Sequence, residues 1–232
     1  MQQVNVRFGE WIENGFNIYK ADFGPLVLAA LIAILLGSVS FGILTGPMMA
    51  GLAIVTLQIF DKKQPPPTAG TVFQGFEYFL NSFLFFLVWG LMVMAASVIL
   101  FFIPCIGFIL AMFLIYAAQA FLMFGLFLIV DRKMDFWPAS MESINIVKAN
   151  FWPFLGLSVV ASLIGGLGSI ACGVGVIFTM PIQFCILAVA YREVFDGVRI
   201  PRATMQPPPV GTPPPGAPPP DAPPPETPVQ PQ

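Results

Sequence analysis

Hydrophobic positions in this chain are gathered into three long blocks, residues 23–60, 78–130 and 149–191, and none of the three contains a charged residue. A helix crossing the hydrocarbon of a bilayer needs about 20 apolar residues, with a range of about 17 to 25. Each block is too long for one crossing and suits two, which predicts an all-α polytopic membrane protein with six transmembrane helices. Breaks are expected at Thr45-Gly46-Pro47, at Pro104-Cys105-Ile106-Gly107 and at Cys172-Gly173, where Gly and Pro interrupt a helical run. The spans then fall near 23–44, 48–60, 82–103, 107–130, 151–171 and 174–191. The second is short, so it is expected to sit shallowly, to thin the bilayer or to be shielded by its neighbours.

A segment of helical period precedes each block. In residues 4–22, Phe8, Trp11, Ile12, Phe16 and Tyr19 recur at spacings of three and four, with Arg7, Glu10, Asn14, Asn17 and Lys20 falling largely between them. This is the pattern of an interfacial helix, with Trp and Tyr at headgroup level; a helix packed on protein is the alternative. A capping-box pattern at Thr71-Val72-Phe73-Gln74 opens a second such segment, running to about Asn81, and Pro138 starts a third, ending at Lys148-Ala149-Asn150. The predicted layout is therefore 1–22 interfacial helix, 23–60 first hairpin, 61–81 polar linker and interfacial helix, 82–130 second hairpin, 131–150 polar loop and interfacial helix, 151–192 third hairpin, and 193–232 a cytoplasmic tail.

The unit also repeats in residue identity. NIYKADFGP at 17–25 returns as NIVKANFWP at 145–153, with six of nine positions identical, and a weaker copy, GFEYFLNSF at 75–83, matches GFNIYKADF at 15–23 in both glycine-phenylalanine positions and the final Phe. Lys20 and Lys148 suit the negative C-terminal end of a helix dipole and can snorkel. Asp22, Ser82 and Asn150 are candidate N-caps of the following spans, each followed by Phe (Phe23, Phe83, Phe151), and Pro25 and Pro153 fall in the first turn, where a missing N–H costs little. These junction residues are expected to build a bend and an anchor at the interface. With two spans per unit, all three copies start on the same side, as parallel repeats about an axis along the membrane normal.

Charge then sets the orientation. All ten basic residues lie on the side holding both termini, and the three opposite turns hold none. The positive-inside rule places both termini in the cytoplasm of a cell (inner) membrane. The N-terminal stretch, with Arg7, Glu10 and Glu13 and a late first apolar run at Phe23, does not read as a cleavable signal. From Pro201 onward 15 of 32 residues are proline, a composition that favours extended polyproline II and suits either a spacer or a docking segment for a protein partner.

Composition narrows the chemistry further. Charged residues make up 9% of the chain, net charge is −2, and there is no histidine. Nothing points to nucleic acid, a cofactor or a histidine-based metal site. No charged residue falls inside a span, which argues against ion-coupled transport and against an intramembrane protease with paired aspartates. Gln58, Gln119 and Gln183 each fall in the second helix of a hairpin, where they serve as helix glue or line a polar path. Ser158, Ser162, Gly165, Gly166, Gly168 and Ser169 form a small-residue stripe for close helix packing. Cys105 and Cys172 both fall at outer turns, where a disulfide is conceivable, and Cys185 reads as inert packing.

Residues 17–25, the Gly46-Pro47-Met48-Met49-Ala50-Gly51 turn, FQGF at 73–76 and the late CGVG at 172–175 with Pro181 and Ala190-Tyr191-Arg192 resemble a broad set of uncharacterised bacterial integral membrane proteins, similar to the membrane domain fused to some glycerophosphodiester phosphodiesterases. The resemblance covers about residues 7–196 and implies a bacterial inner-membrane module; the soluble catalytic barrel has no counterpart, so that activity is not implied. The expectation is a non-enzymatic scaffold or accessory protein organising protein or lipid partners at the cytoplasmic leaflet. It contacts membrane lipid, and a protein partner would use the loops 61–67 and 131–135 or the tail. The rivals are a passive channel or facilitator lined by the three glutamines, and a regulatory or lipid-presenting subunit of a lipid-metabolising enzyme.

Overall fold

A computed structural model describes residues 7–103, 106–170 and 175–197. Among them there is no strand. In chain order the elements are α1 (Phe8–Ala21), α2 (Phe23–Val39), α3 (Thr45–Phe60), the 3-10 helix η1 (Ala69–Tyr78), α4 (Phe79–Phe101), α5 (Gly107–Leu122), α6 (Gly125–Asp131), α7 (Phe136–Ala149), α8 (Phe151–Ile170) and α9 (Val176–Asp196). Among the described residues four helical segments are long and apolar enough to cross a membrane: Ala69–Phe101, Gly107–Asp131, Phe151–Gly168 and Val176–Asp196, with a fifth if the bent pair α1–α2 counts as one. At 1.5 Å per residue α2 and α3 reach about 25 Å, short of a hydrocarbon core of about 30 Å.

The short α3 lies at the centre. Eleven of its sixteen residues are buried, Met48, Leu52, Ala53, Val55 and Thr56 among them, and α2, η1, α4, α6 and α9 pack around it. Protein covers α3 on nearly all sides. The Gly46-Pro47 pair does not break it: helix α3 begins at Thr45, and Pro47 falls in its first turn, where the missing N–H has no helical acceptor to lose. The chain reverses earlier, at residues 40–44, where Phe41 and Gly42 take left-handed φ values of 51° and 89° and the Ser40 hydroxyl accepts the Leu44 N–H at 3.0 Å.

The segments ahead of the hairpins pack on protein along their apolar faces. Helix α1 runs antiparallel along α9: Trp11 donates its indole N–H to Glu193 and Gly15 meets the Ile186 backbone; just beyond it, at the start of α2, Phe23 stacks on Phe178 with ring centroids 6.2 Å apart. Trp11 and Tyr19, expected at headgroup level, are 0% and 6% exposed. The expected stripe is present, but α9 takes it up, whereas Phe16 on the same helix stays exposed. In the same way η1 packs on α3, and α7 packs on α5 and α6.

Two junctions share one backbone geometry. Asp22 (φ −124°, ψ 44°) and Asn150 (φ −141°, ψ 53°) each leave the helical region for a single residue. Each bonds its N–H back, to the Ile18 and Val147 carbonyls, and each carbonyl accepts from the next helix, from Leu26 and Phe154. Between α1 and α2 the chain turns through 93°. The Asp22 side chain makes no capping bond, so the bend rests on the backbone rather than on the carboxylate. The middle copy differs: Ser82 lies inside α4 and donates to the Tyr78 carbonyl at 2.8 Å, and η1 with α4 runs on as one 33-residue segment. The helix start there is earlier as well, with the Thr68 N–H bonded to the Thr71 hydroxyl, so Thr71 is the third residue of the element and not its cap.

Backbone contact of α3 with η1 depends on two glycines. A Cβ at Gly51 would fall on the Val72 carbonyl oxygen, and one at Gly75 on the Pro47 carbonyl oxygen. Gly51→Ala and Gly75→Ala are each expected to lower stability by about 1–3 kcal/mol, as overpacking does. Gly166→Ala, at a helical glycine with open space around it, is expected to be neutral or mildly stabilising. Thermal melting of the three variants in detergent micelles checks the contrast.

Candidate functional site

Two sites emerge, one charged and one apolar. The charged one joins the ends of three second helices: Asp61 at the end of α3, Asp131 at the end of α6, and Arg192 in the last turns of α9. Arg192 donates to Asp61 at 2.7 Å, to both Asp131 oxygens at 2.9 and 3.0 Å, and to Asp196 at 2.7 Å. Tyr191 donates its hydroxyl to Asp131 at 2.9 Å, and Arg132 pairs with Glu142 at 3.2 Å. The planar guanidinium offers five donors in a fork, so one cation can hold three carboxylates. Beneath it Phe124, Phe127, Phe154, Tyr191 and Phe195 pack ring on ring at 4.9 to 6.4 Å, with Trp11 stacked on Phe154 at 6.3 Å.

The apolar site is a cavity of about 340 Å³ between α4, α5, α6, α8 and α9. Its walls come from the middle of each long helix: Phe85, Phe86 and Trp89 of α4, Ile115 and Gln119 of α5, Phe127 of α6, Ser158 and Ala161 of α8, and Gln183, Phe184 and Leu187 of α9. Phe86, Gly90, Ile115 and Gln119 are exposed at its mouth, while Ser158 and Ala161 are buried at its floor. The cavity therefore opens sideways, halfway along the helices. Break residues Met123 and Phe124, between α5 and α6, let the chain turn Leu126 and Phe127 inward beneath it.

Hydrogen bonds fix the polar groups of this cavity. Ser162 donates to Gln119 Oε1 at 2.8 Å, which leaves the Gln119 amide nitrogen free of that contact. Gln183 Oε1 rests against Gly165, where a Cβ would collide with it. The Trp89 indole N–H is bound to the Ser140 hydroxyl at 2.9 Å, and Ser140 donates on to the Phe136 carbonyl at 2.6 Å.

Gln119 and Gln183 thus line one cavity, and Gln58 does not. Gln58 donates to Gln74 at 3.3 Å and lies beside a separate polar cleft of about 210 Å³ with Lys63, Glu77, Asp131, Lys133 and Arg192. Lys20 is exposed and sits over the Phe16 ring at 4.6 Å. Asp22 borders a shallow cleft with Lys62 and Lys63. Phe151 stacks on Phe121 at 5.2 Å, Phe83 on Phe79 at 5.8 Å, and Lys148, Pro25 and Pro153 make no site contact among the described residues. Of the small-residue stripe, Ser158 lines the cavity, Ser162 and Gly165 back its two glutamines, and Gly168 packs on the Gly175 backbone. Cys185 is a buried free thiol; Cys105, Cys172 and the proline-rich tail lie outside the described residues. Among the described residues no group of three or more His, Cys, Asp or Glu side chains could hold a metal.

Sequence reasoning missed the Arg192 cluster because its members lie at the ends of three helices far apart in the chain. One signal was present: each second span ends on a charged residue at the same point of its unit, Asp61, Asp131 and Arg192. No family model, curated protein or solved structure matches the chain.

Arg192→Met is expected to leave three carboxylates facing one another at a partly buried site, costing about 3 kcal/mol. Arg192→Lys restores the charge but not the fork, and is expected to recover less than half of that. Chemical unfolding in mixed micelles checks both.

Proposed function

We propose that the chain is a six-span protein of the cytoplasmic (inner) membrane, with both termini in the cytoplasm, that acts as a non-enzymatic scaffold or accessory protein by holding a lipophilic amphiphile in its lateral cavity. The observation that carries the reading is the cavity itself: about 340 Å³, open at mid-helix, with aromatic walls and two amides. Ligand sites have this character, mostly apolar with a few placed polar groups.

Three further observations support the architecture in this reading. Each segment ahead of a hairpin packs on the second span of the hairpin before it, η1 on α3 and α7 on α5 and α6, with α1 closing the ring on α9. That is the contact pattern of three parallel repeats about one axis. The first hairpin, α2 and α3, would form the two short spans, shielded by its neighbours. Lys62, Lys63 and Lys133 are exposed and form no ion pair among the described residues, which suits an anionic cytoplasmic leaflet. Protein partners would meet the loops 61–67 and 131–135 or the proline-rich tail, and a lipid-presenting role beside a lipid-metabolising enzyme would use the same cavity. Placement of Gln58 outside the cavity removes the support for a pore lined by three glutamines.

Vesicles containing lipids brominated midway along the acyl chain test the reading, since bromine quenches tryptophan at contact range. The part of the quenching lost in Trp89→Phe is the cavity signal. Ala118→Phe, which fills the cavity from α5, is expected to remove most of that signal without lowering the melting temperature; quenching unchanged by Ala118→Phe would refute an occupied cavity.

A further inference from the structure

The chemistry of the cavity wall specifies its ligand more closely than "amphiphile". No ionisable side chain lines it, so a fatty acid carboxylate or a phospholipid headgroup would enter without a countercharge, at a depth where an unpaired charge is expensive. The polar side chains able to meet a ligand are two amides and one hydroxyl. Gln119 has its oxygen engaged by Ser162, and Gln183 has its oxygen turned to Gly165; neither amide nitrogen has a hydrogen-bond partner among the described residues. Each amide NH₂ is a donor and nothing else. Trp89 has spent its N–H on Ser140, so it presents only its ring. The Ser158 hydroxyl can rotate to either role. Around these donors stand the rings of Phe85, Phe86, Trp89, Phe127 and Phe184, surfaces suited to offset stacking on a flat head.

We propose that the cavity binds a lipophilic quinone: an uncharged, flat ring whose two carbonyls accept from Gln119 and Gln183, with its tail leaving through the mouth into the bilayer. This rests on the lateral cavity being a ligand site. A quinone combines the properties the wall asks for, namely acceptors without donors, no charge, a planar head for the rings, and residence at mid-depth. A glyceride has ester carbonyls but no flat head, and its glycerol oxygens belong at the interface. A hydroquinone has the ring, but its phenolic oxygens accept more weakly than carbonyls and each O–H must find an acceptor that the two amide nitrogens do not supply.

The experiment uses the purified full chain in nanodiscs, titrated with a decyl-substituted benzoquinone, its hydroquinone and a monoacylglycerol. Binding is read as the tryptophan quenching that Trp89→Phe removes, and displacement of a brominated alkane reports occupancy of the same cavity. The quinone is expected to bind at least about tenfold more tightly than its hydroquinone. Gln119→Leu and Gln183→Leu are each expected to weaken it about tenfold, the loss of one hydrogen bond to an amide of the cavity wall, while leaving brominated-alkane quenching unchanged. That unchanged quenching also shows that each variant keeps an intact cavity. If the alkane quenches and the quinone binds no better than the monoacylglycerol, the cavity reading stands and the quinone assignment falls. If quinone affinity is the same in both glutamine variants, the assignment falls too. If neither the alkane nor the quinone quenches Trp89, both readings fall.

Discussion

The contact on which this fold depends is the approach of a small residue, about two turns into each of α1, η1 and α7, to the backbone of a helix from another hairpin. Gly15 meets Ile186 of α9, and Gly75 meets Pro47 and Gly51 of α3. At the matching position of the third copy the Ser143 hydroxyl donates to the Phe121 carbonyl of α5 at 2.6 Å. In a hydrocarbon environment apolar side chains gain little by leaving lipid for protein, so close backbone approach and interhelical hydrogen bonds carry association. Three such contacts tie each segment to a hairpin other than its own. They explain why α1, with an apolar stripe that would otherwise sit among headgroups, buries Trp11 and Tyr19 on α9.

Those contacts hold the middle of the bundle, and Arg192 holds its end. One guanidinium joins carboxylates from α3, α6 and α9, which are the second helices of the three hairpins. An arginine paired with a single aspartate at a surface contributes little; here the cation is shared, its side chain is 11% exposed, and aromatic rings lie directly under it. The same cluster accounts for an odd feature of the charge distribution. Asp61, Asp131 and Asp196 are turned inward to Arg192, while Lys62, Lys63 and Lys133 stay outside. The basic surface that the positive-inside rule reads from composition is thus sharpened by folding.

Much of the helical skeleton was legible, because uncharged blocks of 38 to 53 residues leave a chain few options other than long apolar helices. The bend between residues 17 and 25 was legible in place but not in mechanism: repetition marked Asp22 and Asn150, and propensity suggested a side-chain cap that Asp22 does not form. Ser82 misled for a related reason. A serine inside a helix can bond back to the carbonyl four residues earlier, and only the surrounding fold decides between that and a cap. Gly46-Pro47 misled because Pro in a first turn and Pro in a break look alike in sequence. The Arg192 cluster depends on contacts across as many as 131 residues, and no local pattern reports those.

The three glutamines show how position within a repeat decides function. Measured from the contact point of the segment that packs on it, Gln119 lies two residues before Phe121 and Gln183 three before Ile186. Gln58, in contrast, lies seven after Gly51. The first two fall on the far side of the contact, at mid-helix, and face one space. Gln58 falls two turns toward the charged end and pairs with Gln74. Sharing a helix type is therefore not sharing a site. An amide at mid-depth must find a partner or carry the cost of going without one, and α8 supplies half the answer by offering Ser162 to Gln119. The other half, two glutamines at an apolar space large enough for a ring, is what distinguishes this cavity from a packing defect: a defect lined by amides would close over them, whereas here the small residues Ser158 and Ala161 of α8 leave the space open.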